Sequence, residues 1–253
     1  MAVSCRATLA YDGTAYQGFQ RQAGDTPTIQ GTVEGAIQAI TGQSVTVIGA
    51  GRTDTGVHAT GQVITFTVEW AHRLSDLLRA INSQLPADIA LQDIREQSGF
   101  HPRFDAVARE YQYTLVQCGE RQPLLRHRAW HIWGDLDGAA MQTAAALLAG
   151  EHDFAGFGLP PQGSKTTIRR VLRSEWSHWE NPQGTGIIWQ YTVEANAFLK
   201  HMVRRIVGLL VQVGQGQQDT AGIEAILHRA VLWEGPVAPP HGLVLTRVRY
   251  PDD

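Results

Sequence analysis

A single carboxylate in a polar, glycine-rich turn is the part of the chain best suited to chemistry. The stretch GAGRTDTGVHATGQVITF, residues 49–66, places Asp54 between two apolar runs. Both runs are rich in β-branched residues and bounded by glycine, so they predict strands. Arg52 precedes the carboxylate by two residues, and a guanidinium at that spacing can hold a carboxylate ionised and in place. Rigid strands that flank a polar loop suit a reactive group.

The same turn has three other interpretations. Asp54 can cap its own backbone in an Asx turn, which is the commoner role of an aspartate in this setting. A phosphate-binding loop is disfavoured, because GAGRTD lacks the third glycine of a dinucleotide motif and no Gly-Lys-Ser or Gly-Lys-Thr follows. The triplet DTG also occurs in aspartic proteases, but those enzymes need two carboxylates that share a proton, and no second copy is present.

Length and composition indicate a cytosolic protein of two domains. The 253 residues exceed the usual single-domain length, and 43% hydrophobic residues suffice for two cores. There is no run of about 18 apolar residues and no charged-then-apolar leader, so we expect neither a membrane span nor a secretory signal. Cys5 and Cys118 lie far apart in strand-like runs, which favours reduced core residues over a disulfide, a zinc site or a nucleophile.

The distribution of basic residues indicates phosphate contact more clearly than the net charge of −3 does. Among 21 basic residues only two are lysine, and arginine is the residue that binds phosphate bidentately. Residues 154–174 and 195–218 contain no acidic residue. Solvated arginines on strand and helix faces are the plainer interpretation of each patch. The candidates for RNA-backbone contact are Lys165, Arg169, Arg170, Arg173, Lys200 and Arg205.

The first half of the chain predicts one β-α-β-β-α-β unit. Its elements are a strand, a helix capped by Thr28 and ended by Gly42, the two strands around Asp54, a helix stopped by Pro86, and a strand that ends near Gln97. This order is that of the ferredoxin-like unit, in which two helices cover one face of an antiparallel sheet.

The second half repeats this order without a visible residue-level repeat. The predicted strand, helix, two strands, long helix and last strand lie at residues 107–118, about 137–150, 168–179, 187–195, about 197–213 and 243–250, with a short extra helix near 223–231. We therefore expect an α+β protein of two ferredoxin-like domains with mostly antiparallel sheets, residues 1–105 and 106–253. A cleft between two domains is a usual place for a site.

Six segments, taken in order, resemble the TruA family of tRNA pseudouridine synthases: YDGTAYQGFQRQ, GRTDTGVHA, FHPRFDAVAREYQY, HDFAGF, NAFLKHMVRRIVG and APPHGLVLTRVRYP. They extend from Tyr11 to Pro251. The resemblance implies an isomerase that converts uridine to pseudouridine at positions 38, 39 and 40 of the anticodon stem-loop of tRNA. It also implies a homodimer without metal or cofactor, built from two ferredoxin-like halves with the active-site cleft between them.

The resemblance also assigns roles to single residues. Asp54 matches the family's catalytic aspartate, and Arg52 matches the arginine of the same motif. Tyr111 matches the tyrosine that stacks on the target base, and Arg204 matches the helix arginine that pairs with the aspartate. Judged singly from the sequence, Tyr111 is an ordinary strand aromatic and Arg204 a solvated helix residue. Glu110 stands where a basic residue is frequent in the family, which would weaken local RNA contact.

Two rival functions stay open at this point. A metal enzyme is disfavoured, because the only histidines at helical spacing, His127 and His131, have no neighbouring carboxylate and no HExxH motif. A non-catalytic RNA-binding protein is the rival of another class, since ferredoxin-like sheets can bind RNA passively. Such a protein does not need the Asp54 carboxylate, which would repel phosphate. A pseudouridine synthase that acts on a different RNA is the third possibility.

Overall fold

A computed structural model describes residues 2–160, 166–182, 184–229 and 233–251 of the chain. The chain forms two compact units. Unit 1 comprises Met1–Val107 together with Val244–Asp253, and unit 2 comprises Ala108–Leu243. The last strand, from Val244 onward, groups with unit 1. The domains 1–105 and 106–253 stay a prediction from the sequence.

Unit 1 is a mainly antiparallel sheet with two helices. Its elements are β1 (Ala2–Tyr11), α1 (Ile29–Thr41), β2 (Ile48–Gly49), β3 (His58–Glu69), α2 (Leu74–Gln84), β4 (Ile89–Glu96) and most of β10 (Leu243–Arg249). Strand β1 lies between β3 and β4 and pairs antiparallel with both. On the other edge of β3, β2 pairs antiparallel and β10 pairs parallel.

The core of unit 1 follows from the alternation of β1. Cys5, Ala7 and Leu9 are buried on one face of the strand, as the period of two requires. The apolar stripes of α1 and α2 are also buried; they consist of Ile29, Val33, Ile37, Leu77 and Ile81. Burial of one such side chain contributes about 1.5–3 kcal/mol. The opposite face of β1 carries Arg6 and Thr8 and is left for solvent or a ligand.

Helix α1 begins and ends where the sequence predicts. Thr28 is the N-cap, and its hydroxyl accepts a hydrogen bond from Gly31 N. Gly42 ends the helix in the left-handed conformation with φ 69°, which glycine adopts without the steric cost of a Cβ. Local capping chemistry therefore fixes both ends of this helix.

The described residues of unit 2 form five strands and three α-helices. Its elements are β5 (Ala108–Gln117), β6 (Trp130–Ile132), α3 (Gly138–Ala146), β7 (Gly150–Asp153), β8 (Ile168–Glu180), β9 (Ile187–Ala195), α4 (Met202–Gly214) and α5 (Thr220–Arg229). Strand β5 pairs parallel with β6 and antiparallel with β9. Strand β8 pairs antiparallel with both β9 and β7. The mixed α and β composition and the mostly antiparallel pairing agree with the sequence-based expectation.

Four elements differ from the prediction. Strand β2 is only two residues long, because the Val47 main chain is bound by α1 instead of a strand: Val47 N donates to Glu34 Oε1 (3.0 Å) and Val47 O accepts from Gln30 Nε2 (3.1 Å). The long helix α4 starts at Met202 and not near Ala197, since His201 before it has φ 62°. The short strands β6 and β7 lie in segments that the sequence predicts as connections.

Candidate active site

The Asp54 turn connects β2 to β3 in unit 1. Before it, Ala50 N donates to Val63 O (2.8 Å). Gly51 O accepts from the amide of Gln62 (2.8 Å). The turn is closed by Val57 N, which donates to Asp54 O (3.1 Å). The Asp54 residue is partly buried, so an ordered turn carries a carboxylate residue that is not enclosed in the core.

The loop that follows β1 fixes the residues on both sides of Asp54. The hydroxyls of Tyr11 and Thr53 are 2.8 Å apart in a buried hydrogen bond. Phe19 N donates to Thr53 O (3.1 Å), and Gly56 N donates to Tyr16 O (3.4 Å). Because hydrogen bonds hold the turn on either side of the carboxylate, its position is determined before any substrate arrives, as catalysis by positioning requires.

Two glycines let this loop approach the Asp54 turn closely. Gly18 has φ +86°, and a Cβ at this position would lie 2.7 Å from Thr53 O. A Cβ at Gly13 would lie 2.0 Å from Val57 O. Any side chain at either position therefore displaces the turn or the loop.

His58, the first residue of β3, also connects the turn to the loop. Its ring is buried, and Nδ1 lies 3.0 Å from Gly13 N and 3.0 Å from Asp12 Oδ1. Nδ1 cannot accept a hydrogen bond from Gly13 N and donate one to Asp12 Oδ1 at the same time. The direction of the Gly13 N–H is set by the backbone, so in this geometry Nδ1 is the acceptor. His58 therefore holds the loop after β1, and this loop in turn holds the Asp54 turn.

Arg52 is exposed at the start of the turn. The role of Arg52 in fixing the carboxylate stays a prediction from the sequence. The residues on either side of Asp54 are held by the hydrogen bonds at Thr53 and Gly56. An exposed guanidinium beside the carboxylate remains suited to contact with a phosphate.

Tyr111 lies on β5 in unit 2 and is half-buried. Its neighbour on β9 is Val193. The ring meets that of Phe198 edge to face, with 5.1 Å between centroids and an interplanar angle of 89°. An edge-to-face contact is a favourable aromatic geometry, and it holds the Tyr111 ring against Phe198.

Arg204 lies in the first turn of α4 in unit 2. Its Nε donates to Ala238 O (2.8 Å), and its own main-chain O accepts from Ala238 N (3.0 Å). The first bond holds the Arg204 side chain at Nε, and the second holds Ala238 against the start of α4. The buried hydroxyl of Tyr113 donates to Pro239 O (2.7 Å). Burial raises the pKa of Tyr113 well above its ordinary value, and the nearby positive charge of Arg204 acts in the opposite direction.

Four of the expected RNA-backbone residues keep at least part of their side chain at the surface. Arg170 and Lys200 are exposed, and Arg205 is half-buried with a bond from Nη1 to Phe157 O (3.3 Å). Arg173 is paired with two carboxylates, Glu175 at 2.5 Å and Glu110 at 3.5 Å. Its charge is therefore offset within the protein, which reduces its value for phosphate binding.

Arg169 is a correction to the sequence-based set. It is 5% exposed, and Nη1 donates to the main-chain oxygens of Thr166 (3.0 Å) and Ile168 (2.6 Å). Desolvation by burial lowers its pKa. Its side chain shares the inward face of β8 with the buried Val171 and cannot reach a phosphate without local opening. Lys165 lies outside the described residues.

Two features are absent from the residues that the structure describes. In those ranges no three His, Cys, Asp or Glu residues come together in a cluster that could hold a metal ion. Likewise, no helix in the described ranges is long and apolar enough to cross a membrane.

Sequence reasoning missed the residues that hold the Asp54 turn. Tyr11, Gly13 and Gly18 stand in the segment YDGTAYQGFQRQ, and His58 in GRTDTGVHA, but neither segment was assigned a positioning role. The available signal was the tyrosine-rich, glycine-rich composition of a loop directly after a strand. Their contacts to Thr53 and Val57 join positions about 40 residues apart and are not encoded in local spacing.

Comparisons with known proteins show the family of the chain. The family model described as tRNA pseudouridine synthase matches residues 7–105 and 144–251. A tRNA pseudouridine synthase A of Neisseria gonorrhoeae is 42% identical over 246 residues, which cover 96% of this chain and 91% of the relative. Proteins of the same name from Chloroflexus aurantiacus and Geobacter sp. are 43% and 39% identical, with 96% of this chain covered in each and 87% and 97% of the relatives. The chain belongs to the tRNA pseudouridine synthase family.

Proposed function

We propose that this enzyme isomerises uridine to pseudouridine at positions 38, 39 and 40 of the anticodon stem-loop of tRNA, with Asp54 as the catalytic residue. The observation that carries the proposal is the partly buried Asp54 on a turn held by hydrogen bonds at Thr53 and Gly56. Membership of the tRNA pseudouridine synthase family makes the protein an isomerase that acts on tRNA. The choice of positions within the stem-loop rests on the resemblance to the TruA family.

The reaction needs few groups. The bond between uracil N1 and ribose C1′ breaks, the ring turns, and a bond between C5 and C1′ forms; C5 loses a proton and N1 gains one. Free aspartate has a pKa of about 3.9 and is ionised near neutral pH, so position and dehydration activate it. Asp54 supplies the anionic oxygen that acts on the ribose or on the uracil.

The remaining residues hold the substrate. Tyr111 stacks on the base that is flipped out of the stem-loop, a contact worth about 1–3 kcal/mol. Arg204 pairs with Asp54 when the site is assembled, and its orientation is prepared by the bond to Ala238 O. Arg52, which is exposed beside the carboxylate, contacts the RNA backbone next to the target nucleotide.

The proposal includes the architecture that the resemblance implies. The pairing of β4 with β1, of β1 with β3 and of β3 with β2 supports a ferredoxin-like first half. We extend this description to the second half, and we assign Asp54 from the first half and Tyr111 and Arg204 from the second half to one uridine. The protein acts in the cytoplasm as a homodimer, and its exposed Arg170 and Lys200 contact the tRNA backbone.

The two rivals differ in a measurable product. A passive RNA-binding protein holds tRNA without releasing hydrogen from C5 of uracil. A synthase for a different RNA releases it only from that RNA. The presence of an ordered carboxylate disfavours the first rival, because an anion in an RNA-binding surface lowers affinity for phosphate.

Substrate position is tested with tRNA transcripts that carry tritium at C5 of uracil. One transcript keeps uridine at positions 38, 39 and 40, and a matched transcript has cytidine at all three with compensating changes in the stem. We expect release from the first transcript and none from the second. Equal release from both would place the modified uridine elsewhere in the tRNA, and release from neither would favour another RNA.

A further inference from the structure

The solvent face of the unit 1 sheet contains an open cavity of about 300 Å³. Strands β1, β3, β4 and β10 line it, on the face opposite to the buried Cys5 and Leu9. Three arginines, Arg6, Arg95 and Arg247, line the cavity and define what we call the arginine trough. Asp93 is the single acidic residue among the lining residues.

Two of these arginines are placed directly opposite each other. Arg6 on β1 is the register partner of Arg95 on β4. Two arginine side chains therefore lie side by side on the same face of the sheet. The next register pair on the same face of the sheet is Thr8 and Asp93. Asp93 Oδ1 accepts a hydrogen bond from Thr8 N (2.6 Å). The carboxylate is thereby engaged with the backbone of β1.

Aromatic rings hold Arg6 in its position. Its guanidinium carbon lies 4.5 Å from the ring centroid of Phe100 and 4.2 Å from that of Tyr250. Nη1 donates to Gln97 Oε1 (3.3 Å). Tyr250 is itself fixed, since its hydroxyl donates to Pro102 O (2.8 Å). Cation–π contact with two rings orders a guanidinium and leaves its positive charge in place.

The other two arginines extend the positive charge along the trough. Arg95 and Arg247 are both exposed. Within the described part of the chain, neither guanidinium forms an ion pair. Gly61 of β3 lies against the Thr246 and Arg247 backbone of β10: a Cβ there would be 2.1 Å from Thr246 O and 3.1 Å from Arg247 Cα. This close contact sets the distance between the arginines of β10 and those of β1 and β4.

We propose that the arginine trough binds the phosphodiester backbone of the tRNA substrate. Guanidinium groups bind phosphate oxygens bidentately, and the hydroxyls of Thr8, Thr60 and Thr246 in the same cavity can donate further hydrogen bonds. Thr60 follows Asp54 by six residues, so the trough begins within about 20 Å of the catalytic carboxylate. One RNA can therefore occupy both places. The inference rests on the proposed function and adds an RNA contact on unit 1.

The test is the salt dependence of tRNA binding by the full-length Arg95→Gln/Arg247→Gln variant. Fluorescence anisotropy with labelled tRNA between about 50 and 200 mM salt gives the slope of log K against log salt, to which each phosphate contact contributes about 0.9. We expect the slope to fall by about two and the affinity to fall at least tenfold near 0.1 M salt, because two contacts are lost.

A matched variant, Arg73→Gln/Arg79→Gln, removes the same charge from exposed residues at helix α2. It is expected to leave the slope unchanged. Equal slopes for both variants and the wild type would overturn the proposal. A changed oligomeric state with an unchanged slope would instead make the trough a contact between copies of the chain. If the wild type binds tRNA with the expected slope but releases no tritium, the proposed function fails while the trough stands.

Discussion

The Tyr11 hydroxyl lies 2.8 Å from the Thr53 hydroxyl, in a buried hydrogen bond one residue before Asp54. This bond joins the end of β1 to the turn that carries the carboxylate. Thr53 O also accepts from Phe19 N (3.1 Å), so the residue before Asp54 is held through both its side chain and its main chain. The rigidity of the site therefore originates in the loop after β1.

Tyr11→Phe removes this bond and keeps the ring in the core. We expect a loss of about 1 kcal/mol in the free energy of unfolding and a single-turnover rate at least several-fold lower, because the turn is less well held. Chemical denaturation and tritium release measure the two effects. When Tyr11→Phe is combined with Thr53→Val, the double variant should lose little more stability and activity than either single variant loses. Full additivity of the two losses would show that the hydroxyls do not act as a pair.

Gly18→Ala tests the close approach of the loop to the turn. The new Cβ would lie 2.7 Å from Thr53 O at a residue with φ +86°, so we expect a cost of about 1–3 kcal/mol together with a strong loss of tritium release. Gly24→Ala is the matched control, since Gly24 has φ +80° and a Cβ there would meet no described atom within 4 Å. Equal losses in both variants would assign the effect to backbone conformation alone.

Arg169 and Arg170 are neighbours in the sequence, but substitution of each is expected to affect a different property of the protein. Arg170→Gln should lower tRNA affinity and reduce the salt slope by about 0.9 without changing stability, because Arg170 is exposed. Arg169→Gln should lower stability by about 1–3 kcal/mol, since it removes the bonds to Thr166 O and Ile168 O. Fluorescence anisotropy with labelled tRNA measures the affinity of both variants, and urea denaturation measures their stability. A loss of affinity confined to Arg169→Gln would reverse the assignment.

Cys5 is expected to be inert in the folded protein. Desolvation by burial, with a smaller contribution from Glu96, raises the pKa of Cys5 from 9.0 to about 11. The folded thiol therefore holds its proton more tightly than the unfolded thiol, and the resulting stabilisation is complete below pH 9 and is lost as the pH rises toward 11. In a Cys118→Ser variant, iodoacetamide at neutral pH should label only unfolded protein. Rapid labelling of the native variant would contradict the burial of Cys5.

Local signals explain why much of the fold is predictable. The ends of α1 follow from Thr28 and Gly42, whose capping roles depend on neighbours within four residues. The carboxylate turn follows from glycines between two apolar runs. By contrast, the shortness of β2 depends on the side chains of Gln30 and Glu34 binding Val47, and no propensity within residues 45–49 reveals that contact.

The positions of basic side chains were the weakest part of the sequence-based site. A charge run suggests exposure, yet Arg169 shares its face of β8 with Val171 and is buried. The arginine trough was also missed, because Arg6, Arg95 and Arg247 are far apart in sequence and meet only through strand register and the cavity that they line. Family resemblance identified Asp54, whereas the residues that hold its turn required the structure.

The most direct measurement is tritium release from tRNA labelled at C5 of uracil, by the wild type and by Asp54→Asn. The substitution keeps the shape of the side chain and removes its negative charge. Release by the wild type, with none by a folded Asp54→Asn protein that still binds tRNA, is the predicted result. Release by Asp54→Asn at the wild-type rate would contradict a catalytic role of the Asp54 carboxylate.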